Sequence, residues 1–243
     1  MSISPPAFEV AGRPSPVELR AVRTAVIVVD MQNDFATPGG MFDRAGIDIG
    51  PIRAIVENTA SVLDAARAAG MVVVYVKMGF LEDLSDAGKP DSPTWLKHLP
   101  LHAGEPIVAP DGTKSRILVR DTWNTAIIDA LRPHDEDLQL YKHRYSAFFG
   151  TGLDEILRAR GVDHLVVLGA TTSICVESTV RDGMFRDYHC VVLEDCTAEP
   201  IAADASRSNH DASILVLELL FASISDSGSL IRALDAGAGV LPA

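Results

Sequence analysis

Short, continuously apolar runs rich in β-branched residues set the fold of this chain. Ala25-Val26-Ile27-Val28-Val29, Val72-Val73-Val74-Tyr75-Val76 and Leu165-Val166-Val167-Leu168 each read as a strand with no polar face. Such a strand has to be covered on both sides, as in the parallel sheets of α/β proteins. Helical patterns lie between them. Ile52, Ile55, Val56, Val62, Leu63 and Ala66 recur at helical spacing, and Gly70 closes that segment. Weaker strands are expected at Leu138–Tyr141, Cys190–Leu193 and Ala222–Ser225, with the fourth strand spanning His164–Gly169. Helices are expected near 125–131, over 152–160 and 174–186, and within 202–220. This alternation predicts an α/β fold: a three-layer, Rossmann-like sandwich with a mostly parallel six-stranded sheet and helices on both faces.

The 243 residues hold no internal repeat or low-complexity linker, so a single domain is expected over 23–235. Residues 1–22, with Pro5, Pro6, Pro14 and Pro16, read as an extended arm without regular structure, either free or packed on a neighbour. Residues 236–243 read as a flexible tail. The stretch 79–120, with Gly88 and five prolines, is expected to be irregular; loops this long usually serve function or an interface. A net charge of −12 argues against nucleic acid and anionic membranes as partners. No apolar run is long enough to span a bilayer, and the start lacks the pattern of a secretory leader. Three cysteines (Cys175, Cys190, Cys196) cannot all pair, which points to a reduced, cytoplasmic setting.

In doubly wound sheets, ligand sites lie beyond the carboxyl ends of the strands. Asp30 follows the first strand, Lys142 ends the third, and Cys175 comes shortly after the fourth. A thiol at the start of a helix is expected to have a lowered pKa. The carboxylate could take its proton, and the ammonium could hold both groups. Taken singly, each residue also has a plain reading: a buried cysteine, a turn-capping aspartate, a solvated lysine. Cys190 reads as core and Cys196 as packing. Glu177 and Arg181 are spaced for a local ion pair.

The order of several motifs adds a resemblance. They are Val28-Val29-Asp30-Met31-Gln32-Asn33-Asp34-Phe35, Pro38-Gly39-Gly40, Lys142 to Phe149, Gly169 to Val176, Val180-Arg181-Asp182-Gly183 and Leu193-Glu194-Asp195. In these stretches the chain resembles the isochorismatase-like cysteine hydrolases, from about residue 25 to 235. The resemblance implies a catalytic triad of Asp30, Lys142 and Cys175. It also implies a cis peptide at Ala170–Thr171, and an oxyanion hole from the backbone N–H groups of Thr171 and Cys175. The implied reaction is amide hydrolysis through a thioester, with a small-molecule substrate, no cofactor and a homodimer or homotetramer as the assembly.

Within that family, the Arg144–Phe149 and Thr179–Gly183 stretches, the 36–40 turn and Trp123 resemble the ureidoacrylate amidohydrolase branch most, and biuret hydrolases less. Phe35 and Met41 stand where that branch often has tyrosines, and Lys77-Met78-Gly79-Phe80 lacks its Asn and Trp. Phe35, Met41, Phe80, Trp123 and Tyr145 are the candidate substrate contacts. The histidines lack paired ligand spacing, and Asp43-Arg44-Ala45 offers no imidazole where nicotinamidases carry one, so no metal is expected. A ureidoacrylate-like substrate is the favoured expectation. A more apolar amide or biuret-type ureide is the alternative, and a catalytically silent binding protein of the same fold is a further one.

Overall fold

The computed structural model describes residues 7–238. Its centre is a six-stranded sheet made of β1 (Thr24–Val29), β2 (Val72–Met78), β3 (Leu138–Lys142), β4 (His164–Ala170), β5 (His189–Ala198) and β6 (Ser223–Ser225). Their order across the sheet is β6-β5-β4-β1-β2-β3. Every pairing is parallel, so the mostly parallel sheet expected from sequence is parallel throughout.

Side-chain alternation explains why the strands read as uninterrupted apolar runs. Val26 and Val28 of β1 enter one core together with Val73, Tyr75, Val166 and Leu168. Ala25, Ile27 and Val29 enter the other, with Val74, Val76, Leu165 and Val167. The first face is covered by α1 (Val56–Ala68), through Val62, Leu63 and Ala66, and by Leu230 and Leu234 of α5 (Ser227–Ala238). The second is covered by α2 (Leu153–Ala159), α3 (Glu177–Met184) and α4 (Asn209–Leu220), through Leu153, Leu157, Val180, Ile214 and Leu217. A strand with a core on each face has no room for a polar period.

The termini depart from the sequence expectation. In the N-terminal arm, Phe8–Val10 pairs antiparallel with Val17–Leu19. Val10 and Leu19 are fully buried against the body of the same chain. Between them, Arg13 exchanges two backbone hydrogen bonds with Ile224 of β6, at 2.8 and 2.9 Å. The arm thus closes off an open sheet edge, which would otherwise present unpaired donors and acceptors. At the other end, α5 runs through Ala238, three residues into the stretch expected to be tail. The expectations for residues 1–6 and 239–243 fall outside the described residues.

The 79–120 excursion is more ordered than its composition suggests. It holds a helix over Pro93–His98 and a small antiparallel pair, Pro106–Val108 with Lys114–Arg116. The helix expected near 125–131 is instead two single 3₁₀ turns, at Trp123–Thr125 and Asp129–Leu131. Among the described residues, no helix is long and apolar enough to cross a membrane.

Candidate active site

The strand order reverses its winding between β1 and β4, and the crevice at such a switch point is where α/β sheets bind ligands. Asp30 leaves β1 there with φ of 54°, an uncommon left-handed conformation for a non-glycine residue. Its N–H still donates to Val76 O at 2.9 Å, so the turn begins only after the last ladder bond. Gln32 then locks the corner. Its side chain bonds both backbone groups of Met78, donating to the carbonyl at 2.9 Å and accepting from the N–H at 2.8 Å. The ends of β1 and β2 are therefore fixed relative to each other.

Asp30 and Lys142 are both essentially inaccessible to water. Lys142 Nζ lies 2.8 Å from Asp30 Oδ2 and 3.3 Å from Cys175 Sγ. The same ammonium donates to Arg144 O at 3.3 Å. Aside from the ion pair, the Asp30 carboxylate has no hydrogen bond of good geometry. Burial raises the pKa of Asp30, against the stabilising charge of Lys142. Burial alone would lower that of Lys142, but Asp30 and Cys175 more than offset it and the net shift is upward. Burial thus draws Asp30 towards protonation while the Lys142 ammonium 2.8 Å away draws it towards ionisation.

Cys175 corrects the sequence expectation of an acidified thiol. Burial pushes its pKa well up, and the Asp30 charge adds to this, with only Lys142 opposing. The cysteine does not begin an ordinary α-helix. It sits in a π-helical turn, Thr172–Val176, in which Val176 N–H reaches back five residues to Thr171 O at 3.2 Å. Burial favours the neutral thiol, beside a carboxylate that could accept its proton.

The turn is held from three sides. Glu199 accepts from Ser173 N–H at 2.8 Å and from the Ser173 hydroxyl, and its other oxygen accepts from Ile201 N–H at 2.9 Å. Thr179 Oγ1 donates to Cys175 O at 2.7 Å and accepts from Ala147 N–H at 3.0 Å, which joins the turn to the loop after Lys142. Thr172 Oγ1 meets His210 Nδ1 at 2.9 Å. The Ala170–Thr171 peptide is cis. Thr171 Oγ1 is buried without a hydrogen-bond partner and lines the pocket.

That pocket has a volume of about 90 Å³, with Asp30, Thr171 and Cys175 among its lining residues. Its walls are otherwise mostly apolar, from Phe35, Met41, Phe42, Met78, Leu101, Ile174 and Ile201. Three wider clefts elsewhere contain no cysteine.

Of the expected substrate contacts, Phe35, Met41 and Tyr145 line the pocket. Phe80 and Trp123 do not. Phe80 is fully buried behind the pocket wall, its ring 5.6 Å from that of His98, because the returning chain bonds its backbone at Leu118 and Arg120. Trp123 lines a different cleft, and its carbonyl accepts from Asn33 Nδ2 at 2.8 Å. The pocket instead takes Lys97, His98 and Leu101 from the 79–120 excursion, together with Ile201. None of these carries a local signature. The stretch has no period, and its contribution depends on folding back across the sheet edge. Burial lowers the pKa of His98, and its Nδ1–H donates to Thr94 O at 2.7 Å.

Cys190 lies in the second core and Cys196 in the first, neither at the pocket. Glu177 and Arg181 form the expected pair at 2.7 Å. His164 and His189 stack 4.7 Å apart at the starts of their strands, the opposite edge from the site. Among the described residues, no group of three His, Cys, Asp or Glu side chains is placed to hold a metal.

A profile of the isochorismatase domain matches residues 24–229. The ureidoacrylate amidohydrolase RutB of Caulobacter segnis is 44% identical over 195 residues, 80% of each chain. RutB of Agrobacterium fabrum is 43% identical over 185 residues, 76% of this chain and 80% of that protein. Among solved structures, a cysteine hydrolase from Pseudomonas syringae pv. phaseolicola 1448A superposes with a TM-score of 0.74 at 29% identity, covering 98% of this chain and all of that one.

Proposed function

Because the chain belongs to the isochorismatase family, we propose that it is a cysteine amidohydrolase that removes the terminal carbamoyl group of a small ureido acid, with an acid of the ureidoacrylate type as the favoured substrate. One observation carries this reading: Lys142 Nζ bridges Asp30 Oδ2 at 2.8 Å and Cys175 Sγ at 3.3 Å, beside a small closed-in pocket.

The triad geometry supports the following order of steps. As the thiol attacks the carbonyl carbon, its proton passes to Asp30 and an S–C bond forms. The negative charge on the former carbonyl oxygen is received by the backbone N–H groups of Thr171 and Cys175. Collapse breaks the C–N bond, and the departing nitrogen takes the proton from Asp30. Water, deprotonated by the same carboxylate, then cleaves the carbamoyl-cysteine and restores the thiol. Lys142 stays charged throughout and keeps Asp30 ionised between turnovers. The high resting pKa of Cys175 fits this order, since proton transfer accompanies attack rather than preceding it.

A second reading, hydrolysis of a more apolar amide, is favoured by the Phe35, Met41 and Phe42 wall. Ammonia release across ureido acids, biuret, carbamates and aliphatic amides separates the two. Trapping with a ureido acid, followed by mass spectrometry of the intact chain, should show one carbamoyl group on Cys175. Turnover that persists in Cys175→Ala would reject the covalent route.

A further inference from the structure

Eight of the residues around the pocket are apolar, and its floor is the Asp30–Cys175 pair. One charged side chain remains. Lys97, on the helix Pro93–His98, lines the pocket while staying solvent-exposed, as a group at its mouth would. Among the described residues it belongs to no ion pair. Lys77, Lys89 and Lys114 also join no ion pair among the described residues; what sets Lys97 apart is that it is the one of these four lysines that lines the pocket. The lining also contains no acid other than Asp30, whose charge is taken by Lys142.

We propose that Lys97 is the residue that selects an anionic substrate: its ammonium pairs with the carboxylate of a ureido acid whose carbamoyl carbon rests at Cys175. Exposure separates the two ends of such a substrate: Asp30 and Cys175 are buried, whereas Lys97 is exposed to solvent. Phe35 and Met41 offer no hydrogen bond to a carboxylate; Tyr145, His98 and Thr171 can offer neutral donors, and Lys97 alone among the lining residues offers an unpaired lysine or arginine cation. Next to apolar walls, a charge-assisted pair is stronger than one on an open surface.

This inference rests on the amidohydrolase reading, and the test separates the two. The full chain and its Lys97→Gln and Lys97→Arg variants are assayed for ammonia release from 3-ureidoacrylate and from its uncharged methyl ester. In the parent, kcat/KM should favour the acid by about tenfold or more, as expected for one charge-assisted contact. Lys97→Gln should reduce that acid-to-ester ratio by about tenfold, chiefly through KM, whereas Lys97→Arg should keep it within about threefold. The parent KM for the acid should also rise with salt, and that rise should flatten in Lys97→Gln. An unchanged ratio in Lys97→Gln, or an equal loss on both substrates, overturns the role of Lys97 while leaving the amidohydrolase reading in place. A parent that releases ammonia from neither compound overturns both.

Discussion

Replacing Lys142 by methionine tests the electrostatic core of the site. Methionine keeps the length of the side chain and removes the charge, leaving Asp30 buried beside Met78 and a neutral thiol. At the observed 2.8 Å, Coulomb attraction in a medium of effective dielectric ~20 is worth about 6 kcal/mol. Truncating one partner of a buried pair costs about 3–5 kcal/mol in practice, in line with that figure. Even the lower value favours protonation of Asp30 by a factor of about a hundred or more. A protonated Asp30 cannot accept the thiol proton, so kcat/KM at neutral pH should fall by about 10²–10⁴-fold, the usual worth of a general base. The stability cost has a definite sign with pH. In the variant, Asp30 is protonated when folded and ionises when unfolded, so its stability relative to the parent should improve as pH falls from 8 towards the ordinary carboxylate range. The assays are ammonia release at saturating and limiting substrate, and thermal unfolding from pH 5 to 8. A variant that keeps more than about a tenth of the parent kcat/KM would refute the assignment of Lys142 as the group that keeps Asp30 charged.

Cys175→Ala should abolish turnover without a large loss of stability, since only a small atom group leaves; the thermal midpoint and ammonia release check both. Iodoacetamide should label Cys175 slowly at neutral pH and faster with each rise in pH, because the thiol is held neutral; rapid labelling at pH 7 would contradict the buried thiol. Gly169 has φ of +117°, and a Cβ there would sit 2.1 Å from Val29 O, so Gly169→Ala should lower the melting temperature by roughly 10 °C, read by calorimetry. Asp34 is buried and its pKa is pushed up to about 7 by burial, against hydrogen bonds from Asn124, Leu118 and Met41. The unfolded chain releases this proton first, so stability should decline from about pH 4 to pH 7; Asp34→Asn should flatten that part of the pH profile, while its NH2 would face a backbone N–H or the Asn124 amide in place of an acceptor oxygen, at a cost of about 1–3 kcal/mol for each donor left unpaired.

Sheet and site were unequally legible in the sequence. β1, β2 and β4 were readable because a strand with a core on both faces admits only apolar residues. β5 was read too short. It runs on through Glu194, Asp195 and Thr197, past a shift in register between Val167 and Gly169 that lets polar residues join the strand. Asp30, Lys142 and Cys175 could be found because each ends or follows a strand, so chain position alone brings them to one edge. Lys97, His98 and Ile201 could not, since they reach the pocket through the path of irregular segments. Phe80 and Trp123 were misplaced for the same reason: an aromatic residue near a strand end has no local feature that tells wall from backing. The paired arm was hidden by its prolines, as cis Arg13–Pro14 lies where the chain turns to meet β6.

A sheathed, proton-bearing sulfur has a consequence beyond turnover. Peroxide attacks thiolates, and it must first reach them. Cys175 is only 7% exposed and burial favours its neutral form, so peroxide should oxidise it slowly and reach exposed groups such as Met184 first. An idle molecule would then endure an oxidant that inactivates enzymes whose cysteine is kept permanently ionised.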